Sequence, residues 1–187
     1  MQTEPAMPMS SLPRRVPIGV VAQVGADRRR ELKTRLGLSA ATRLVAIALG
    51  GIDLRLPVES WPAMPSVHWL VPTAWGVARA DITSVESLGM RFTDILHSVD
   101  ALIGKPGYGT FTEAACNGTP MLYVRRPDWP EGPCLIEWIK RHGNCLEIAR
   151  HELEQGHVAV ALQTLWDQER RPPVRPSGIN QALEFLA

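Results

Sequence analysis

The stretch "DALIGKPGYGTFTEAACNGTP", Asp100 to Pro120, decides the fold and frames the question of function. An apolar run, Ala101 to Ile103, empties into a glycine-rich turn, and a short helical pattern follows and stops at Gly118. A strand that runs through a tight turn into a helix is the repeating unit of an α/β domain. Gly107 and Gly109 let the backbone approach a ligand closely. The helix behind them offers unpaired N–H groups and the positive end of its dipole, which suits phosphate. Thr110 adds a hydroxyl and Lys105 a nearby cation. A second reading stays open beside this one. Thr110-Phe-Thr-Glu113 is also a capping box, in which Thr110 accepts from the Glu113 N–H and Glu113 reaches back to the Thr110 N–H. Two familiar phosphate templates fail. GxGxxG needs glycine where Thr112 stands, and a P-loop closes on GK[ST], whereas Lys105 precedes the glycines.

Working outward, the same alternation continues on both sides. "TRLVAIALGG" reads as a buried parallel strand ended by Gly50-Gly51, and "VHWLVP" (67–72) as a second. "FTDILHSV" (92–99) is a short helix, "PMLYV" (120–124) a fourth strand and "NCLEI" a fifth. "ADRRRELKTRLGL", "GPCLIEWIKRHG" and "HVAVALQTLWD" carry helical apolar spacing, the first with Gly37 as its stop. Strands alternating with helices predict an α/β domain, a doubly wound, mostly parallel sheet of Rossmann-like type. The expected limits are a proline-rich linker or arm at 1–17, the α/β domain at 18–171, and a C-terminal crossing segment and helix at 172–187. In such sheets ligands sit beyond the carboxyl ends of the strands, where the opening stretch lies.

Composition excludes several classes. The chain has 187 residues, 45% hydrophobic and 21% charged, with net charge +1, so no excess of positive charge calls for nucleic acid. No apolar run approaches the roughly 18 residues of a membrane span, although peripheral membrane contact stays open. The polar N-terminus lacks the apolar core of a signal peptide. Three cysteines, Cys116, Cys134 and Cys145, form no CxxC pair and no zinc spacing, which points to reduced thiols and a cytoplasmic setting. His68, Trp69 and Trp75 read as packing residues, and Trp61, Trp138 and Trp166 as core or interface aromatics. His97 is read as packed or solvated, beside the turn. Arg28 to Arg30 reads as a solvated helix face.

"GKPGYGTFTEAACNGTPMLYVRRPDWPE" resembles the nucleotide-sugar-binding half of GT-B glycosyltransferases, most closely the branch containing the N-acetylglucosaminyltransferase of peptidoglycan synthesis. The resemblance is most specific over 100–131 and extends by element order over about 40–170. It implies a donor-binding domain of an inverting glycosyltransferase that takes a nucleoside-diphosphate sugar, a UDP-sugar above all. On these positions the family's diphosphate lies against Gly107, Tyr108, Gly109 and Thr110, and its ribose hydroxyls on Glu113. The glycine turn facing donor and acceptor corresponds to Gly50-Gly51. Where the family often places a glutamine pair for the sugar, this loop offers Asp128 and Glu131. The base corresponds to the loop at Met90, Arg91 and Phe92. The scheme needs no metal and no resident cofactor, the nucleotide-sugar being substrate.

In this family the acceptor domain supplies the usual catalytic base, so the catalytic residue is left unassigned here. The resemblance covers the donor side alone. The acceptor domain is then expected in cis, this chain being a C-terminal piece, or in trans, as in two-subunit enzymes; the proline-rich arm and the tail "RRPPVRPSGINQALEFLA" favour the piece. Two other functions stand beside the transferase: a non-catalytic α/β module that binds a protein partner, and a nucleotide-sugar 2-epimerase.

Overall fold

A computed structural model describes residues 1–9, 11, 14–50 and 54–187. Two short strands come first, β1 (Gln2–Thr3) and β2 (Pro17–Ile18), paired in parallel. Helix α1 (Arg29–Arg35) leads into the main sheet. Its strands are β3 (Arg43–Ala48), β4 (Val67–Val71), β5 (Ile82–Ser84), β6 (Ala101–Gly104), β7 (Met121–Tyr123) and β8 (Cys145–Glu147). All pair in parallel, in the order β5-β4-β3-β6-β7-β8. The chain therefore winds outward from β3 to one edge, returns to β6, and winds outward to the other. This doubly wound order bears out the α/β, Rossmann-like reading.

The reason is visible in burial. Val67–Val71 is buried at every position and β3 at its four inner positions, so both faces of the sheet must be covered. One face packs α1, α2 (Phe92–Ser98), α3 (Tyr108–Cys116) and α4 (Gly132–His142) through Leu32, Ile95, Phe111 and Leu135. The other packs α5 (Arg150–Glu154) and α6 (Ala159–Trp166) through Leu153, Leu162 and Leu165, together with Trp61 and Trp69. Each such side chain contributes about 1.5–3 kcal/mol of burial. A last helix, α7 (Gly178–Leu186), rests on the segment after β2, where Gln181 accepts the Gly19 N–H at 2.5 Å.

Several expectations need correction. β5 and α5 do not appear in the sequence reading, because each buries one side chain, Ile82 or Leu153. The first turn of α3 begins at Tyr108, two residues before Thr110, with Gly107 extended (φ −162°, ψ 141°) at the N-cap and no side-chain cap. The Thr110–Glu113 capping box is thus not formed. The Arg28–Arg30 group is not simply solvated either. Arg29 spans from α1 to Asp100, bonding its carboxylate at 2.5 Å and the Val99 carbonyl at 3.1 Å. His68, Trp61, Trp69 and Trp138 are buried as packing residues. Gly118 ends α3 with φ +66°, the left-handed stop that glycine takes without strain.

Asp100 fastens the sheet's centre. Its N–H donates to the Leu44 carbonyl at 2.7 Å, and its carboxylate accepts the Leu44 N–H at 2.8 Å. Asp100→Ala leaves that buried amide unpaired and strips Arg29 of its partner. The expected loss is about 2–3 kcal/mol, below that of a fully buried pair because Arg29 is partly open to water. A lower urea midpoint at unchanged m is the readout; an unchanged midpoint would show that Asp100 is dispensable.

Candidate functional site

The switch point of the sheet lies between β3 and β6, where the winding reverses. Ala48 pairs with Gly104 there, so both strands end side by side. From β3 the chain continues through buried Leu49 to exposed Gly50; Gly51 lies outside the described residues. From β6 it continues through Lys105 and Pro106 to Gly107 and the first turn of α3. Register alone therefore brings the Gly50 turn beside the Gly107–Thr110 turn. A crevice of this kind is where doubly wound sheets bind ligands.

The α3 N-terminus is chemically open. The Phe111 N–H bonds the Gly107 carbonyl at 3.0 Å, which leaves the amides of Tyr108, Gly109 and Thr110 ahead of the first helical bond. A side chain at Gly109 would meet nothing within 4 Å. Thr110 leans over the turn: its Cγ2 lies 3.5 Å from where a Gly104 Cβ would sit, and its Oγ1 3.8 Å from a Gly107 Cβ. Lys105, at 9% exposure, is buried beside the turn. Burial and the neighbouring Arg126 guanidinium push its pKa below the usual lysine value. Among the described residues no carboxylate lies within 4 Å of its ammonium. By strand alternation Lys105 continues the row of Ala101 and Ile103, on the face opposite α3.

The other candidates lie on the same carboxyl edge. Phe92 opens α2 and is exposed. Arg126 stacks on Trp129 at 4.7 Å and reaches Asp128 at 3.8 Å. The Asp128 side chain is 78% exposed. Glu131 occupies the N-cap position of α4 without a side-chain cap bond.

Tyr108 and Glu113 are placed differently from the turn glycines. An extended strap, residues 19–28, runs across α2 and α3 and is held by side chains that accept its backbone N–H groups. Tyr108 accepts from Val21 at 3.1 Å and donates to the Glu4 carbonyl at 3.0 Å. Asn117 accepts from Gly25 at 2.8 Å and donates to the Gln23 carbonyl at 3.0 Å. Asp94 accepts from Ala26 at 2.9 Å, and Ser98 from Arg28 at 2.7 Å. Glu113 faces the Gln23 amide in this row. It neither turns back to Thr110 nor stands free above the glycines. Gly25 is required by closeness: a Cβ there would overlap the Thr93 carbonyl. Sequence reasoning missed this strap. Its one local signal was Gly25, because the receptors come from two helices, α2 and α3, far along the chain from it.

No protein-family model matches the chain. Among curated proteins, an L-arabinokinase of Arabidopsis thaliana is 25% identical over 144 residues, covering 72% of this chain and 13% of that protein. Among solved structures, the glycosyltransferase SnogD from Streptomyces nogalater aligns with TM-score 0.50 and 18% identity, covering 96% of this chain and 52% of its own. The glycosyltransferase of kitacinnamycin gives TM-score 0.56 and 18% identity, covering 84% and 40%. CalG4, the calicheamicin glycosyltransferase, gives 0.59 and 14%, covering 87% and 42%. These likenesses show a fold: the α/β, Rossmann-like domain of GT-B glycosyltransferases. The chain spans about half or less of the length of the three structures.

Burial lifts the Glu113 pKa above its ordinary 4.5, against a smaller pull downward from the Gln23 amide. Between the two values the folded chain binds more protons than the unfolded one, so stability falls as pH rises through that window. Glu113→Gln is expected to flatten this fall. Urea midpoints measured from the acid side of 4.5 to neutral check it; an unchanged slope would mean that Glu113 does not titrate abnormally.

Proposed function

We propose that the chain is the donor-binding half of an inverting glycosyltransferase and takes a nucleoside-diphosphate sugar, with UDP as the nucleotide. The carrying observation is the open N-terminus of α3 behind Gly107, set at the β3–β6 switch point. Unpaired amides there suit a diphosphate. The names of the solved neighbours, all glycosyltransferases, agree in chemical direction. The plant relative's name is that of a sugar kinase, but the match covers 13% of it, and no P-loop is present in this sequence.

In this reading Gly107, Tyr108, Gly109 and Thr110 hold the diphosphate, with Tyr108 contributing its backbone amide, since its hydroxyl serves the strap. Glu113, whose carboxylate lies by the Gln23 amide, turns to the ribose hydroxyls when the donor binds. Gly50 and Gly51 flank the reacting sugar, Asp128 and Glu131 its hydroxyls, and Phe92 the base. An acceptor oxygen attacks C1 while the bond from C1 to the diphosphate breaks. The chain's contribution is to place C1 and stabilise the departing diphosphate with fixed N–H donors. The acceptor and the catalytic base come from a second domain, in cis or in trans. No metal or resident cofactor is needed, and the setting is cytoplasmic. Among the described residues no helix is long and apolar enough to cross a membrane.

Two observations favour a non-catalytic interaction module instead: the strap already engages Tyr108 and lies against Glu113, and Trp129 is exposed. Calorimetry separates the two readings. UDP binding is expected, weakened by about 1–3 kcal/mol in Glu113→Ala, the range for a buried hydrogen-bonding group. Equal affinity for UDP and its 2′,3′-dideoxy analogue would remove Glu113 from the ribose. No heat and no thermal shift with UDP, GDP, ADP or TDP at millimolar concentration would favour the module.

A further inference from the structure

The amino ends of the strands, opposite the donor crevice, carry an unbalanced group of cations. Asp100 is their hub. Arg29 bonds its carboxylate at 2.5 Å, and Arg43 lies 3.8 Å away while stacking on Trp166 at 4.6 Å. Arg170 approaches the same group. Burial first, then the nearby Arg29 and Arg43 charges, pull its pKa below the ordinary guanidinium value, against the attraction of Asp100. Two guanidinium groups thus share one carboxylate, with Arg170 close enough to feel all three charges.

Arg170 also lines a cavity of about 570 Å³ with Lys140, Asn144, Cys145, Glu169 and Arg171. Three lining side chains are cationic and one is a carboxylate. The cavity's neutral polar groups are already satisfied among themselves. Asn144 donates to Gln168 at 3.1 Å and to the Glu169 carbonyl at 2.8 Å, and accepts the Arg171 N–H at 2.9 Å. Arg171 uses one guanidinium nitrogen on the Arg141 carbonyl. The side chains of Lys140 and Arg170 donate to no partner among the described residues. Lys140, Arg170 and Arg171 are exposed, so water serves their donors, and a multiply charged anion in the concavity would replace that water with several charge-assisted bonds at once. The net charge of +1 for the whole chain means that this local excess is offset elsewhere, so it is a property of one edge.

We propose that this cavity binds a small, multiply charged anion bearing phosphoryl groups, at a site separate from the donor crevice. Arg170 and Lys140 supply the charge, and the Asn144–Arg171 frame fixes the walls. A flat anionic membrane would meet the exposed rim but would not fill the recess, so a soluble small molecule is the occupant.

Amide spectra of the full chain, titrated with inorganic pyrophosphate, test this directly. Saturable shifts are expected at Asn144, Cys145 and Glu169 to Arg171, apart from any at Gly107 to Thr110. Arg170→Ala and Lys140→Ala are each expected to weaken the first set on the order of tenfold, the loss of one charge-assisted bond. The second set is expected to stay unchanged. Lys140 is outside the Asp100 cluster, so its variant keeps the test sound if Arg170→Ala unfolds. Three results would overturn the site: no saturable shift around the cavity, the same shifts with sodium chloride at matched ionic strength, or shifts indifferent to Lys140→Ala. Stronger, Lys140-dependent binding to anionic lipid vesicles than to pyrophosphate would also overturn it, in favour of a membrane surface.

Discussion

Four bonds made by Asp100 hold the centre of this fold. Its amide and carboxylate clasp the two sides of Leu44 across β3 and β6. Its carboxylate receives Arg29 from α1, and its carbonyl accepts the Trp166 indole N–H from α6 at 3.1 Å. One residue thus fixes the register of the two central strands and ties in a helix from each face. That register sets Gly104 opposite Ala48 at the far end. The glycine turn and the Gly50 turn are neighbours because of a bond made at the other edge of the sheet. A slip of one residue would also turn every core side chain to the wrong face.

Much of this was legible in the sequence, for a physical reason. Continuous apolar runs such as Leu44 to Leu49 require cover on both faces, and helices with one apolar face supply it. Those two facts give the layers and the parallel pairing. What escaped notice were elements with little burial of their own, β5 and α5, whose positions are settled by neighbours. The capping box failed for a related reason. Thr110 and Glu113 have the right spacing, but extended Gly107 starts the helix earlier, so Thr110 enters the first turn and is free to lean over the glycines.

The site was partly legible in the same sense. Glycines after a strand mark the turn, and the winding order places it at the switch point. The strap was not legible, since the i,i+4 pairs Asp94/Ser98 and Glu113/Asn117 read as ordinary polar helix positions and nothing local says that an extended segment from residues 19–28 lies on them. They share only the task of receiving one extended backbone. This changes the meaning of Glu113. Its carboxylate lies by the Gln23 amide of the strap rather than free above the glycines. Tyr108, in the first turn of α3, ties the proposed donor site to the N-terminal segment through Val21 and Glu4, while the cationic edge around Arg170 lies towards the opposite, amino ends of the strands.

The central claim is that the open N-terminus of α3 at the switch point receives a nucleotide diphosphate. A crystal structure of the chain grown with UDP tests it most directly. The account predicts phosphate oxygens within hydrogen-bonding distance of the Gly109 and Thr110 amides. A nucleotide seated elsewhere, or a crevice that stays empty at saturating UDP, would contradict it.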